Sequence, residues 1–330
     1  MEESAKIPES QDHMPYGLVE AGDESHPSQD RLLNTPFASG VFDGVGSWDF
    51  GDTATFIARE EIIKGIAEAR RENYFAKNRD DLDRYRIMGT IIETSFKKVF
   101  NRIGEYTKSK KMESVDQNGK KKDFKMGTTV SLAVQLLTPE ELESEEHKND
   151  TSVKFLLINS GDSRTIHFDD NGEILNKTEI NNPFSKEVND ILDNISTHDD
   201  FINAINNFPE HKEDIYLGWS NKNILSKTLK NSSVGENFDV PDIAFIDAPK
   251  GSFFLSFTDG FDMLAGFEIE QIVKSVRKQN GSSKDVVDAL MNKASKRKEL
   301  VKDKTNLDKY PELYRYNGSD DQAIEIYDVV

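Results

Sequence analysis

The sequence predicts an α+β domain in which antiparallel sheets, connected by hairpins, are layered against pairs of helices. Strand patterns come first, and two long helical patterns with an apolar face follow them. A block of strands separated by short turns comes next, and two further helices lead into a final strand. Strong hairpin turns such as Asp169–Gly172 join neighbouring strands directly, whereas a parallel sheet needs a crossover between them. The order of elements therefore favours antiparallel sheets over a βαβ arrangement.

Composition limits the classes of function. The chain has 330 residues, 36% of them apolar and 20 of them phenylalanine, which suffices for one large domain or two average ones. The net charge of −18 argues against a nucleic-acid partner, because phosphate backbones need a basic surface. The chain has no cysteine, so it has no disulfide and no thiol nucleophile. No apolar stretch approaches ~18 residues and no signal-peptide core is present, so we expect a soluble, cytoplasmic protein without a membrane partner.

Two strands and two helices are predicted before residue 110. One strand begins at Ser28 and a second, after a short turn, ends at Asp43. The first helix is predicted to begin at Thr53 with Asp52 as its N-cap. The second spans about residues 80–106, where apolar residues recur at helical spacing along one broad face, and a basic surface loop follows it.

The remaining elements are predicted from alternation, β-branched runs and turn residues. Strands are expected at 127–137, 153–158, 164–168, 173–179, 242–247, 252–257 and 320–329, and helices at 268–278 and 283–298. Residues 181–235 are rich in Asn, Asp and Lys and have only weak helical periodicity, which predicts an inserted flap. Residues 1–19 are polar and predict an N-terminal arm, so the domain would comprise residues 20–330.

Several aspartates stand at predicted strand ends, most of them beside glycine. They are Asp43, Asp162 and Asp259, one of the pair Asp320 and Asp321, and, as a further candidate, Asp30. Each Asp-Gly pair taken alone is equally well explained as a β-turn, and Asp162 as a turn residue. Carboxylates gathered in one fold repel one another unless cations lie among them, and Mg²⁺ and Mn²⁺ prefer oxygen ligands. Two such ions stabilise a displacement at phosphorus.

Competing catalytic motifs are absent from the sequence. It contains no phosphate-binding P-loop, no zinc-protease helix motif, no serine-hydrolase elbow and no dinucleotide-binding glycine motif. The six histidines are scattered, and none is placed to activate Ser160 or Ser163 as a nucleophile. The aspartates therefore carry the functional hypothesis.

Five segments, in order, resemble the motifs of the metal-dependent Ser/Thr protein phosphatases of type 2C. They are Val41–Gly46, Gly127–Thr129, Ile158–Arg164, Leu255–Asp262 and Asp320–Ala323. Each motif alone is weak, but their order and their strand-end placement are specific, and the resemblance covers about residues 20–329. It implies a four-layer α-β-β-α sandwich of two antiparallel sheets flanked by helix pairs.

The resemblance also implies a site for two Mg²⁺ or Mn²⁺ ions. Asp43 would bridge both ions, and the carbonyl of Gly44 would bind one of them. Asp259 and Asp320 would complete the second position, with Asp321 as the alternative to Asp320. Water bridged by the two ions would attack the phosphate directly, which makes Asp43 and Asp259 the residues closest to catalysis.

Further roles follow from the same resemblance. Asp30 would act through water in the outer shell, and Asp162 would hold a third, weaker ion together with Asp259. The partner would be a phosphoprotein carrying phosphoserine or phosphothreonine, and the oligomeric state stays open. Alternatives are a catalytically silent scaffold with this fold and a phosphatase for small molecules.

Two of the chain's departures from the family pattern concern groups that would act on the phosphate. Ser25 stands where many members have an arginine that grips the phosphate. Val45 stands where some members have a histidine that acts as general acid, an effect typically worth ~10²–10⁴-fold in rate. We therefore expect a slow enzyme rather than an inactive one.

Overall fold

Two stacked antiparallel sheets, each covered by a pair of helices, make up the protein. The computed structural model describes residues 15–20, 28–45, 50–75, 81–113, 126–137, 139–145, 147–178, 185–195, 198–215, 229–230, 238–261, 264, 266–302 and 321–330. The strands are β1 (Tyr16–Glu20), β2 (Arg31–Thr35), β3 (Ala38–Gly44), β4 (Gly127–Gln135), β5 (Ser152–Ser160), β6 (Arg164–Phe168), β7 (Ile174–Lys177), β8 (Leu229–Lys230), β9 (Asp242–Pro249), β10 (Phe253–Phe257) and β11 (Gln322–Asp328). The helices are α1 (Gly51–Phe75), α2 (Asp81–Glu113), α3 (Pro139–Leu142), α4 (Lys186–Asp193), α5 (His198–Asn207), α6 (Gly266–Lys278) and α7 (Ser283–Lys302).

Every strand pair is antiparallel. The first sheet has the order β1-β11-β10-β6-β7, and the second has the order β2-β3-β4-β5-β9, with β8 added beside β4. Helices α1 and α2 cover the second sheet, while α6 and α7 cover the first. The predicted four-layer α-β-β-α sandwich is confirmed.

Strand β4 shows how the layering follows from the sequence. All nine of its residues are buried, because helices cover one face of the strand and the first sheet covers the other. Val130, Leu132 and Val134 pack under α1 and α2, whereas Ala133 points into the core between the sheets. A strand buried on both faces reads as a continuous run of small and apolar residues, and this one does.

The space between the sheets contains a polar row as well as an apolar core. The hydroxyl of Thr165 is hydrogen-bonded to Ser131 in the opposite sheet at 2.9 Å and to Ser256 on the neighbouring strand at 2.8 Å. Glu325 pairs with Ser256 across β10 and β11, and its Oε2 accepts a hydrogen bond of 2.6 Å from the Gly40 amide in the other sheet. These bonds cross from sheet to sheet and fix how the two sheets are aligned.

The structure differs from the sequence predictions at the start of α1 and at the end of α2. Helix α1 begins at Gly51, and the Ala54 amide donates to the Phe50 carbonyl, so Asp52 lies in the first turn and is not the N-cap. Helix α2 continues to Glu113, through part of the predicted basic loop. Lysines near the C-terminus of a helix interact favourably with its dipole, which explains why they extend it rather than end it.

The predicted N-terminal arm is wrong for residues 16–19, since they belong to β1. Tyr16 pairs with Ile326 and Glu20 with Gln322, at the opposite end of the chain. A short edge strand held by so distant a partner has no local pattern that distinguishes it from an arm. Residues 185–215 contain α4 and α5 with a small core of their own, within the predicted insertion. None of the described helices is long and apolar enough to cross a membrane.

Glu325 gives a test of the polar row. Its side chain is fully buried, and burial raises the pKa of Glu325 well above its usual value, although the Gly40 amide and the charge of Arg59 oppose the shift. The stabilising contribution of a raised pKa is complete below the unfolded pKa near 4.5 and is lost as the pH rises toward the folded value. We therefore expect Glu325→Gln to be neutral near pH 4 and stabilising at pH 8. The gain should approach about 1.4 kcal/mol for each unit of pKa elevation.

Urea denaturation of the two proteins between pH 4 and pH 8 measures this difference. The isosteric amide keeps the acceptor for Gly40, so packing is unchanged and only the titration is removed. A constant difference in the free energy of unfolding across the pH range would show that Glu325 is not a titrating group in the fold.

Candidate metal centre

The pairing of β10 with β6 places Asp259 and Asp162 side by side. Phe257 is the last residue of β10 and pairs with Arg164, the first residue of β6. Asp259 lies two residues after Phe257, and Asp162 lies two residues before Arg164. Both aspartates therefore leave the first sheet at the same end.

Asp43 reaches the same place from the second sheet. It is the penultimate residue of β3 and pairs with Thr129 of β4. The Thr129 hydroxyl shares a hydrogen bond of 2.6 Å with Ser163, the neighbour of Asp162. This bond joins the end of the second sheet to the turn that carries Asp162, so the three aspartates meet at the seam between the sheets.

The three carboxylates lie within reach of a single cation. One oxygen each of Asp43, Asp162 and Asp259 lies within 4.8 Å of the others. Among the described residues no other group of three His, Asp or Glu side chains lies this close together. Mg²⁺ binds oxygen at about 2.0–2.1 Å, so ligands on opposite sides of an ion stand roughly 4 Å apart. The donor set contains oxygen alone, which fits Mg²⁺ or Mn²⁺ better than zinc or copper.

Asp30 and Asp321 form a second row of carboxylates beside the three. Asp30 is buried, and its Oδ2 accepts a hydrogen bond of 2.9 Å from the Thr258 hydroxyl. Thr258 in turn accepts from the amide of Ala323 at 3.0 Å, which connects β10 and β11. Asp321 Oδ2 accepts a bond of 2.5 Å from the Gln29 amide. The Thr258 hydroxyl and the Gln29 backbone amide therefore orient these two acids.

The pKa values of Asp30 and Asp43 are both raised by burial and by neighbouring carboxylates. Burial, and then the charge of Asp321, raises the pKa of Asp30 to about 7. Burial also raises the pKa of Asp43 well above its usual range, with further contributions from the charges of Asp259, Asp30 and Asp162. Without a cation, the cluster binds protons that separate aspartates would release.

Glycines beside the aspartates allow this convergence. A Cβ on Gly260 would lie 1.9 Å from the Asp321 carbonyl oxygen, and a Cβ on Gly44 would lie 2.7 Å from Cβ of Gln29. Because Gly260 has no side chain, the Asp321 backbone can lie directly against the residue that follows Asp259. Gly44 likewise leaves room for the Gln29 segment beside the residue that follows Asp43. In these Asp-Gly pairs the glycine provides close backbone approach, which the plain β-turn interpretation does not require.

Comparison with solved structures identifies the fold. At the level of sequence, no family model and no curated protein matches the chain. The Ser/Thr phosphatase Stp1 from Staphylococcus aureus is 14% identical, with 99% of each chain covered and a TM-score of 0.55. The Ser/Thr phosphatase PstP/Ppp from Mycobacterium tuberculosis is 13% identical over 96% of this chain and 97% of that one, with a TM-score of 0.53.

The fold is that of the metal-dependent Ser/Thr phosphatases. A further match is the catalytic domain of the phosphatase PstP in complex with two manganese ions, 14% identical over 96% of this chain and 98% of that one, with a TM-score of 0.51. Identities this low establish a shared architecture and leave the roles of individual residues to be argued from their chemistry.

The sequence-predicted site residues are distributed as follows. Asp43, Asp162 and Asp259 come together, while Asp30 and Asp321 lie beside them. Asp320 lies outside the described residues, so the choice between Asp320 and Asp321 stays a prediction. Sequence reasoning missed the role of Thr258 in fixing Asp30. Its position directly before Asp259 was the available signal, but its partner is 228 residues away in the chain.

A side chain at Gly260 should push the Asp321 backbone away and disturb the carboxylate cluster. In Gly260→Ala the new methyl group would collide with the Asp321 backbone, so that strand must shift. We expect a loss of about 1–3 kcal/mol in the free energy of unfolding and weaker Mn²⁺ binding by calorimetry. Gly104→Ala is the matched control, because a methyl group there meets open space and alanine favours the helix. Equal effects of the two changes would contradict the proposed packing at Gly260.

Repulsion within the cluster gives a second prediction. In EDTA at pH 7.5, Asp43→Asn should raise the melting temperature by roughly 2–6 °C, because it removes a half-buried acid whose raised pKa destabilises the fold above about pH 4. With Mn²⁺ added, wild type should gain more thermal stability than the variant, since a ligand stabilises the state that binds it. Thermal unfolding with and without Mn²⁺ measures both effects. A variant that melts lower than wild type in EDTA would contradict the repulsion argument.

Proposed function

We propose that the protein is a Mg²⁺- or Mn²⁺-dependent phosphatase that hydrolyses phosphoserine and phosphothreonine in proteins. The observation that carries the proposal is the cluster of Asp43, Asp162 and Asp259 at the seam between the sheets. Carboxylates this close together, one of them buried and two half-buried, repel one another unless cations neutralise them. The fold supports the assignment, since its solved relatives include Ser/Thr phosphatases, one of them with two manganese ions.

The proposal assigns ligands from both sheets. Asp43, the Gly44 carbonyl, Asp162 and Asp259 would hold the ions, with Asp320 or Asp321 completing the set and Asp30 acting through water. When bound, the ions supply Lewis acidity, which makes water acidic enough to react near neutral pH and neutralises charge on the phosphate. Asp43 and Gly44 end β3, Asp162 lies in the turn between β5 and β6, and Asp259 follows the end of β10, so the neighbouring backbone limits the movement of these groups.

The protein's own residues arrange this chemistry. Thr258 donates to Asp30 and so keeps that carboxylate aimed at the cluster. The hydroxyls of Thr129 and Ser163 hold the two sheet ends together beneath Asp162. Val45 follows Gly44, and its backbone amide donates a hydrogen bond to the Gly127 carbonyl. Because the valine side chain is a hydrocarbon, this position provides no group that could donate a proton. The leaving serine or threonine oxygen would take its proton from solvent, which predicts a modest rate.

Hydrolysis of a phosphothreonine peptide tests the assignment. We expect turnover with Mn²⁺ or Mg²⁺ and none with EDTA. Asp259→Asn should lower kcat/KM by at least ~10²-fold, because it removes a proposed ion ligand. The measurement is phosphate release under saturating metal, with calorimetric Mn²⁺ titration of each protein.

The matched control is Asp247→Asn, which removes an equal charge from an exposed position in β9. It should leave both activity and Mn²⁺ affinity unchanged. Absence of both turnover and Mn²⁺ binding would overturn the proposal and favour a scaffold that retains the fold. Turnover of small phosphate esters but of no phosphopeptide would replace the protein substrate with a small molecule.

A further inference from the structure

An open groove lies between α4 and α5, on the two-helix unit formed by residues 185–215. Its volume is about 760 Å³, which lies in the range of ligand-binding clefts. The groove has apolar walls formed by Ile191, Ile195, Ala204 and Phe208. Its charged lining residues are Lys186, Glu187, Asp190 and Asp200. Asp190 contacts Lys177 at 2.8 Å and Glu187 contacts His211 at 3.3 Å, yet acids outnumber lysines along the lining, which favours an occupant that is both apolar and basic.

The charge of the whole unit points the same way. Residues 185–215 contain eight aspartates and glutamates but only two lysines. This segment carries one third of the chain's net charge of −18 in less than a tenth of its length. Such a concentration of negative charge attracts cationic partners and accelerates their approach. A nucleic acid or an acidic peptide would be repelled.

The groove is a built feature of the unit. Val188, Ile195, Phe201, Ala204 and Ile215 form a small core beneath it. The Ser185 side chain caps α4 by accepting a hydrogen bond of 3.2 Å from the Val188 amide. A groove whose helices pack on a common core, one of them capped, loses little conformational entropy when an occupant binds.

Ion pairs fasten this unit to the strand that follows Asp162. Asp193, at the end of α4, accepts from Arg164 at 2.5 Å and from Lys177 at 3.2 Å, and both partners belong to the first sheet. Burial alone would raise the pKa of Asp193, but Arg164 and Lys177 hold that pKa below its usual value, so the Asp193 carboxylate is ionised near neutral pH. Lys177 also binds Asp190 on the groove at 2.8 Å. These ion pairs attach the groove to the sheet whose end carries Asp162 and Asp259.

We propose that the groove binds a basic segment of the phosphoprotein that flanks the phosphorylated residue. An aliphatic or aromatic side chain of the substrate packs between Ile191 and Phe208, while its lysines or arginines pair with Glu187 and Asp200. This inference rests on the proposed phosphatase function and narrows its substrate class to phosphoproteins with basic, partly apolar flanks.

Two phosphothreonine peptides test the preference. One carries arginine, lysine and leucine in its flanks, and the other carries serine and glycine there. We expect the basic peptide to have a KM about tenfold lower at similar kcat, and the difference to shrink at 0.5 M salt, where exposed charges are screened. Equal kcat/KM values for the two peptides would overturn the inference.

Two matched pairs of variants locate the effect. Glu187→Lys reverses an exposed charge on the groove, whereas Glu213→Lys makes the same change outside it. Asn203→Trp fills the groove from an exposed position of α5, whereas Asn206→Trp adds the same side chain outside it. Glu187→Lys and Asn203→Trp should each raise KM for the basic peptide roughly fivefold, the order expected for lost rim pairs. The controls, and turnover of p-nitrophenyl phosphate, should stay at wild-type values.

Direct binding separates failure of this inference from failure of the phosphatase assignment. Fluorescence anisotropy with the unphosphorylated basic peptide requires no turnover, and it should show binding to wild type that Asn203→Trp weakens and Asn206→Trp does not. Binding lost equally in both tryptophan variants would overturn the assignment to the groove. Self-association of the protein that Asn203→Trp abolishes would also overturn it, in favour of a second copy as occupant.

Discussion

The convergence of three carboxylates at one end of two sheets is the constraint on which the rest of the site depends. Charges at this separation repel, so the fold holds them together with contacts that do not involve the carboxylates of the central three. The Thr129–Ser163 hydrogen bond joins the sheet ends, and glycine at Gly260 allows the Asp321 backbone to lie where a side chain would otherwise stand. Burial and the charges of Asp259, Asp30 and Asp162 raise the pKa of Asp43, so its ionised form carries an electrostatic penalty. A cation that relieves it would stabilise the fold and acquire a rigid ligand set at the same time.

The polar row between the sheets explains why that geometry is reproducible. An apolar interface alone would tolerate sliding of one sheet over the other, because hydrophobic burial is non-directional. Hydrogen bonds between Ser131 and Thr165 and between Glu325 and Gly40 have defined donors and acceptors, so they permit one alignment. That alignment sets the distance between Asp43 of one sheet and Asp162 and Asp259 of the other. Burial raises the pKa of Glu325, so the same residue that fixes the alignment is disfavoured in its ionised form.

The sequence predicts the fold class and the candidate residues better than it predicts long-range partners. Strand β6 occupies its predicted residues, and both helix pairs lie where the periodicity placed them, because alternation and helical spacing are local patterns. The aspartates were identifiable because an apolar strand that breaks at an Asp-Gly pair is visible in a few residues. Strand β1 was missed because its pairing partner lies some 300 residues away. The Thr258–Asp30 bond and the burial of Glu325 depend on similar long-range pairing, which no local pattern encodes.

The proposed hydrolytic centre and the proposed substrate groove stand on different parts of the fold. The candidate metal centre stands on strands that are paired on both sides, where small displacements would change ion affinity. The acidic groove stands on two short helices with a separate core, and these helices can vary in charge without moving the carboxylates. Arg164, only two residues from Asp162, links the two parts through its ion pair with Asp193, and Lys177 adds ion pairs with Asp190 and Asp193. A fold divided in this way can keep one hydrolytic centre and change its substrates through the surface of the helical unit, since function resides in sites carried by the fold and not in the fold itself.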